Sequence, residues 1–427
     1  MHRVNSKTLD MIIYKFGGAS VKDAEGVNNL KNILLSRNEA QVVVLSAFGK
    51  TTNGLEKLID SIYYGNRPAF EKQLESLRQY HWDILGSLFE GGDKIFQIAE
   101  RYFDWLKEVF DKQWADYDFL YDQVICTGEL LSTRVVAAWL NKEGLRCRFA
   151  DIRGALITDD LYREARVDWA ESRQRIEKDL SPAVGEIVLT QGFIGGTLDG
   201  WSTSLGREGS DYTAAILANI FDARGVIIWK DVPGVLNADP RFFNDAQKLD
   251  HISYQEALEL AYYGAKIIHP KTIKPLQNKG IPLNVRSFVE PEQQGTLITE
   301  HKKYDGEKPI FILKPRQVLI SILPKDFSFV VEERLSKIYG LFAKHRLKVN
   351  MMQNSALNFS VCVDEHPKRT GELMQELKQD FRVLYNAKLQ LITVRHYNEQ
   401  VLKEIQKGRH VLVEQRSRHT AQFLMES

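Results

Sequence analysis

The chain has 427 residues, 44% hydrophobic and 26% charged, with 57 Lys plus Arg against 56 Asp plus Glu for a net charge of +1. At ~150 residues per domain this length predicts two or three domains, and the composition excludes disorder, a collagen and a disulfide miniprotein. With so little surplus positive charge, only a local basic pocket is left for phosphate binding, and no nucleic-acid partner is expected.

Cys126, Cys147 and Cys362 form no CxxC and read as reduced thiols. The N-terminal apolar run Met11–Tyr14 is too short for a signal-peptide core. No run reaches the ~18 apolar residues of a membrane span. The expectation is a soluble cytoplasmic protein with no membrane partner.

In chain order, Met11–Phe16 and Gln41–Ser46 read as buried parallel strands, and Leu55, Leu58, Ile59 and Ile62 follow at helical spacing. The same alternation recurs at Arg146–Asp151, Glu186–Phe193, Gly225–Trp229 and Ile281–Ser287, predicting a mostly parallel sheet with helices on both faces. Phe70–Tyr117 reads as a helical excursion outside that sheet. Ser253 and Glu256 form a capping box for a helix that stops near Gly264, and Pro270 opens another that Gly280 closes. After a polar stretch, Glu290–Lys308, the pattern becomes α+β. Val318–Leu323, Leu347–Gln353, Leu357–Asp364 and Arg382–Tyr385 read as strands, and Val330–His345 and Lys368–Leu377 as helices, giving a βαββαβ ferredoxin-like unit. A second pass has strands at Leu389–Arg395, His410–Gln415 and Ala421–Met425 and a helix near Glu399–Lys407, one helix and one strand short. The predicted domains are residues 1–300, 310–387 and a truncated unit at 388–427.

The chemistry-bearing residues gather at the carboxyl ends of predicted strands, where open α/β sheets bind ligands. Lys15 ends the first strand and Gly17-Gly18 follow, able to approach an anion with their N–H groups; the alternative is a tight turn beside a surface lysine. Gly49-Lys50-Thr51 is not a P-loop, because Val44 stands where its first glycine belongs. Ser46 and Thr52 still offer hydroxyls there, and no GxGxxG supports a dinucleotide site. Glu129 reads as the start of an apolar helix, placed either for function or to complement the helix dipole. Leu205–Ala214 leads glycines and Ser210 into a helix, aiming its N-terminus at an anion, with Arg207 as a fork for a carboxylate or phosphate. Asp211 either caps that helix or holds lysines in place beside phosphates. The loop Trp229–Arg241 carries Lys230, Asp231 and Arg241, while Lys266 ends a capped helix and His269 reads as structural. Lysines, an arginine, glycine turns and one carboxylate at comparable strand ends suit phosphoryl transfer without a covalent intermediate. No zinc spacing and no GxSxG is present.

KFGGAS, GELLSTR, GFIGG, STSLGREGSDYTAA, WKDVPGVLNADPR and GAKIIHP, in this order, resemble the aspartate kinases of the amino-acid kinase family, whose C-terminal ACT domains the last units resemble. The resemblance implies an amino-acid kinase fold over about Met11–Ser287. It also implies phosphorylation of the L-aspartate side-chain carboxylate by ATP, with Mg²⁺ arriving on the nucleotide, as the first step towards lysine, threonine and methionine. By motif match, Lys15 and Lys266 would stabilise the moving phosphoryl group and the nucleotide phosphates, and Asp211 would organise both. Gly17, Gly18 and Ser210 would lie close to the phosphates, and Lys230, Asp231 and Arg241 would hold the nucleotide. Arg207 would grip the aspartate α-carboxylate and Glu129 its ammonium, with Ser46, Thr52 and Phe193 completing the acceptor site. The rival readings are a glutamate- or acetylglutamate-type kinase and a non-catalytic amino-acid sensor. The resemblance also implies a homodimer through the ACT region, without a homoserine dehydrogenase domain.

Four positions depart from the family pattern: Ala19 and Lys230 replace common threonines, Glu208 a glycine and Leu236 a tyrosine. At the ACT edge His345–Met352, Asn350 stands where Asp is common, so lysine or threonine feedback is expected to be weak, altered or absent.

Overall fold

The computed structural model describes residues 11–36, 40–265, 268–303, 305–326, 329 and 331–426. These fall into two units, one within Met1–Val235, Lys248–Leu258 and Ile267–Lys303, the other within Leu236–Gln247, Glu259–Lys266 and Tyr304–Ser427.

In the first unit the apolar runs become strands Ile12–Phe16 (β1), Ala40–Leu45 (β2), Cys147–Ala150 (β3), Ile187–Gln191 (β4), Ile194–Gly196 (β5), Ser202–Ser204 (β6), Gly225–Lys230 (β7), His251–Ser253 (β8), Leu283–Ser287 (β9) and Thr296–Thr299 (β10). The main sheet runs β3-β4-β2-β1-β7-β9-β10-β8, parallel except where β10 meets β9, and β5–β6 is a separate hairpin. The central strands β1 and β2 are buried from Ile13 and Val42 onwards and apolar there apart from Lys15, as a sheet covered on both faces requires. Helices Ala24–Ser36 (α1), Thr51–Tyr63 (α2), Arg67–Leu88 (α3), Lys94–Phe110 (α4), Tyr117–Lys142 (α5), Trp169–Asp179 (α6), Gly209–Phe221 (α7), Tyr254–Tyr263 (α8, whose residues from Glu259 on are counted with the second unit) and Pro270–Gln277 (α9) complete the α/β pattern. The excursion from Phe70 resolves into α3 and α4, whose Phe70, Phe103 and Leu106 are buried. The capping box operates at α8, where Glu256 N–H donates to Ser253 Oγ at 3.0 Å.

The polar stretch after Glu290 holds a strand, β10, that its threonines conceal. Thr296 is buried because its hydroxyl accepts from Val235 N at 2.8 Å and donates to Leu249 O at 2.5 Å, so a polar residue sits in the core at no desolvation loss.

The second unit is an antiparallel sheet ordered β12-β13-β11-β14-β16-β15, built from Ile310–Pro324 (β11), Val349–Asn354 (β12), Phe359–Asp364 (β13), Phe381–Arg395 (β14), Val411–Arg416 (β15) and Thr420–Glu426 (β16). Helices Glu332–Lys344 (α10) and Pro367–Asp380 (α11) cover a core of Ile320, Ile322, Phe342, Val361 and Leu373. Helix Glu399–Gln406 (α12) covers Ile392, Val394, Leu402 and Phe423. Arg382–Tyr385 and Leu389–Arg395 are one continuous strand, β14, rather than two. Its partner β11 begins eight residues earlier than the apolar run at Val318, and Ile310–Lys314 pairs with Leu391–Arg395. A segment upstream of the first ferredoxin-like pattern thus supplies a strand to the half-sheet formed by the last residues of the chain.

Candidate active site

Lys15 on β1 and Ile228 on β7 are register partners in adjacent parallel strands, so Lys15, Ile228 and Lys230 share one face of the sheet. On the other face Phe16 stacks on Trp229 with ring centroids 5.9 Å apart, which locks the two strands in this register. Asp211 lies in the first turn of α7, fully buried and inside the helix, so it is not the N-cap; that position belongs to Glu208. One carboxylate oxygen of Asp211 meets Lys15 Nζ at 2.7 Å and the other faces Lys230 Nζ at 3.5 Å. Burial alone would push the Asp211 carboxyl up; the two ammonium groups outweigh it and hold the group below its ordinary range. Among the described residues this gathers two cations and one anion at the strand ends, with Lys15 and Asp211 buried and Lys230 half-buried.

The neighbouring side of β1 carries small polar groups. Gly18 approaches the loop after β2 so closely that a Cβ there would lie 2.7 Å from Ala47 O, and Gly49 N–H donates to Gly18 O at 3.0 Å. Ser46 Oγ donates to Ser210 Oγ at 3.0 Å, joining the end of β2 to the N-terminus of α7. Phe193, just beyond β4, has a left-handed backbone (φ 70°) and packs its ring against Gly209, where a Cβ would be 2.8 Å away. Strain of this kind in a non-glycine residue persists only where its surroundings enforce it, and it concentrates at binding sites.

Glu129 lies in the middle of α5, not at the start of a helix, so complementing the helix dipole is no part of its role. It is buried, accepts a long hydrogen bond (3.4 Å) from Ala47 N, and its Oε2 has no hydrogen-bond partner among the described residues. Burial pushes its carboxyl up to about 8. A buried carboxylate oxygen left in this way is costly unless a cation meets it.

Other candidates are placed less closely. Arg207 is exposed, Thr52 is half-buried near the start of α2, and Asp231 is exposed just past β7. Arg241, in the second unit, forms a bidentate ion pair with Asp239, with contacts from 2.5 to 3.1 Å. Lys266, expected beside Asp211, lies outside the described residues; the second cation they bring to Asp211 is Lys230. His269 caps α9 by accepting from Lys271 N at 3.2 Å. Among the described residues no cluster of three His, Cys, Asp or Glu side chains could hold a metal ion.

Sequence reasoning missed Asp122. Buried within α5, it accepts from Ser204 N (2.8 Å), Ser204 Oγ (2.5 Å) and Arg163 N (2.9 Å), anchoring the segment that leads to Arg207. Burial raises its carboxyl to about 6 against the pull of those donors. Its signal was an acid at a core position of an otherwise apolar helical pattern.

Residues 10–287 match the amino acid kinase family. The chain is 33% identical over 359 residues to lysine-sensitive aspartokinase 3 of Escherichia coli, covering 83% of this chain and 78% of that protein. It is 29% identical to a bifunctional aspartokinase/homoserine dehydrogenase of Arabidopsis thaliana, of whose length it spans 42%. Its fold matches E. coli aspartokinase III in complex with aspartate and ADP (TM-score 0.79, 29% identity, 97% of this chain and 96% of that one). The same enzyme in complex with lysine and aspartate matches with a TM-score of 0.82 at 29% identity over the same shares. With a family match over most of its length, and a relative this similar over four fifths of the chain, this protein belongs to the amino acid kinase family, among the aspartokinases.

Proposed function

We propose that the chain transfers the γ-phosphoryl group of ATP to the side-chain carboxylate of L-aspartate. The observation that carries this reading is the Lys15–Asp211–Lys230 cluster at the strand ends. Phosphoryl transfer to a carboxylate needs no general base, because the nucleophile is already ionised. What it needs is fixed positive charge where the phosphoryl oxygens pass and a site that aligns acceptor and donor. Lys15 supplies the charge, and Asp211 fixes its ammonium and offsets its repulsion with Lys230. The backbone N–H groups of Gly17 and Gly18 and the hydroxyl of Ser210 at the N-terminus of α7 serve the phosphates. Lys230 and Asp231 serve the nucleotide, and by resemblance Lys266 and Arg241 do too.

The acceptor is an amino acid whose ammonium meets Glu129, a reading supported by an Oε2 that has no hydrogen-bond partner among the described residues. Arg207, exposed and without an ion pair among the described residues, takes the α-carboxylate on binding. Ser46, Thr52 and Phe193 close the acceptor side. Mg²⁺ enters with ATP, held chiefly by phosphate oxygens and water, as its preference for hydrated octahedral sites favours. The protein works in the cytoplasm, opening the route to lysine, threonine and methionine, and pairs as a homodimer through its C-terminal unit.

That unit, read as ACT-type, responds little to lysine or threonine. Asn350, at the edge where an effector ammonium would bind, already accepts from Lys314 Nζ at 2.8 Å and donates to Gln317 Oε1 at 2.8 Å. A hydroxamate assay for acyl phosphate tests both parts, run with ATP and either aspartate or glutamate, then with added lysine and threonine. Hydroxamate is expected with aspartate alone, with no loss on adding either effector. Its absence with aspartate sinks the catalytic reading; strong inhibition by lysine sinks the regulatory one.

A further inference from the structure

Between α4, α5 and the β5–β6 hairpin of the first unit lies a cavity of about 580 Å³, within the size range of small-molecule sites. Its walls combine aromatic rings, Tyr102 and Trp105 on α4 and Trp201 on the hairpin, with the guanidinium groups of Arg101, Arg134 and Arg153. Among the described residues no carboxylate lines it. The three cations differ in what already occupies them. Arg153 is committed: its Nε and one terminal nitrogen meet Asp151 at 3.0 and 2.7 Å, and the other donates to Ser202 Oγ at 3.0 Å. Arg134 is held but not neutralised. Its Nε donates to Tyr102 Oη at 3.0 Å and its guanidinium sits 4.1 Å from the centre of the Phe149 ring, yet it enters no ion pair among the described residues. Arg101 is exposed and likewise in no such pair. A guanidinium fork fixed by a ring and a hydroxyl is preorganised for a carboxylate, and the indoles offer faces to a flat ring.

We propose that this cavity is a second small-molecule site, taking a planar aromatic acid with its carboxylate on Arg134 and Arg101 and its ring against Trp105 and Trp201. Its consequence rests on the reading above. Gln123, Thr127, Leu130 and Arg134 line the cavity as one face of α5. Glu129 lies on the same helix, roughly 130° round from that face at ~100° per residue. The facing wall is the hairpin, tied to α5 where Gln123 Nε2 donates to Ser202 O at 2.9 Å and Ser202 N donates to Gln123 Oε1 at 3.0 Å. The same segment continues through Ser204, held by Asp122, to Arg207. A ligand seated between these walls bears on both elements assigned to hold aspartate, and so shifts aspartate affinity. Linkage then requires aspartate to shift the affinity of the acid by the same factor.

The test is calorimetry on the full chain with three probes: indole-3-acetate, tryptamine with a similar ring and the opposite charge, and acetate with no ring. Indole-3-acetate should bind one to one, and the other two at least about tenfold more weakly. Arg134→Met should lose about ten- to a hundredfold in affinity for indole-3-acetate. Arg101→Met and Trp201→Ala, at exposed positions, should each lose less and keep the test decisive if melting shows Arg134→Met unfolded. Arg207→Ala should bind the probe as the wild type does. Saturating probe should shift KM for aspartate by about fivefold or more in the wild type and leave it unmoved in Arg134→Met. No binding of indole-3-acetate, or equal binding of tryptamine, overturns the proposal. So does binding lost in Arg207→Ala and kept in Arg134→Met, which would put the acid in the acceptor site. Binding with KM for aspartate unmoved overturns the coupling. If the wild type fails to phosphorylate aspartate, the acceptor assignment falls while calorimetry still decides the cavity.

Discussion

Two polar clusters in this molecule, one in each unit, contrast in how completely they satisfy themselves. In the second unit, Lys314, Asn350, Gln317, Asp364 and Cys362 form a closed network. Lys314 Nζ donates to Asn350, Asn350 to Gln317 and Asp364, Gln317 Nε2 to Asp364 at 2.7 Å, and Cys362 Sγ to Gln317 at 3.2 Å. In the first unit, Asp211 is shared between two lysines, while Glu129 retains a buried oxygen without a partner among the described residues. A closed network gives rigidity and leaves a ligand little to gain; an open one keeps its desolvation cost until a ligand of opposite charge arrives. That difference separates a site from a scaffold more clearly than the count of charged residues does.

The contrast is broken most severely at Lys15 and Asp211. Lys15→Ala and Asp211→Asn should each lower kcat by about three orders of magnitude, since each removes or misplaces a preorganised charge at the moving phosphoryl group. Steady-state kinetics with melting temperatures as a folding control check this, and unchanged kcat in Lys15→Ala would remove the mechanism.

Glu129→Gln should raise KM for aspartate about ten- to a hundredfold through loss of a buried charge pair with the substrate ammonium. The pH response sharpens the point. With its carboxyl raised to about 8, Glu129 is mostly protonated at pH 6.5 and mostly ionised at pH 8.5. KM for aspartate should therefore fall across that window in the wild type and stay flat in the variant. Stability moves the opposite way. The folded protein holds this proton more tightly than the unfolded chain, so rising pH from about 4.5 to about 8 costs the wild type stability that the variant keeps. Melting curves at several pH values would expose a wrong sign.

Lys314→Met tests the closed network. It leaves Asn350 Oδ1 without its donor and should cost roughly 1–2 kcal/mol of stability with kcat unchanged. A large fall in kcat would mean that this cluster serves the reaction.

The smallest effect is expected at Glu208, whose backbone is left-handed (φ 56°) at the N-cap of α7. A side chain costs about 1 kcal/mol there, so Glu208→Gly should stabilise the protein by about that much and modestly lower KM for ATP by removing a negative charge near the phosphates. Chemical denaturation measures the first part and initial rates the second.

The same position shows how much was legible beforehand. That Glu208 departs from the glycine the resemblance leads one to expect can be noticed in the chain, but only its left-handed backbone explains why a glycine suits that position. Glu129 could be flagged from its motif, yet its place in mid-helix, and hence the failure of a dipole role, depended on α5 beginning at Tyr117. The polar run after Glu290 concealed β10 because buried threonines satisfy their hydroxyls on neighbouring backbone.

The sequence by itself determined the parallel α/β order of the first unit, the change to α+β after it, and the lysines, glycines and acids at strand ends. Those properties follow from periodicity and local backbone preference. Tertiary structure alone decided that Asp211 pairs with Lys15 and Lys230, that Ile310–Lys314 completes a half-sheet with residues some eighty positions later, and that Glu129 keeps an oxygen without a partner among the described residues. Each depends on groups distant in the chain, whose separation and burial no local pattern encodes.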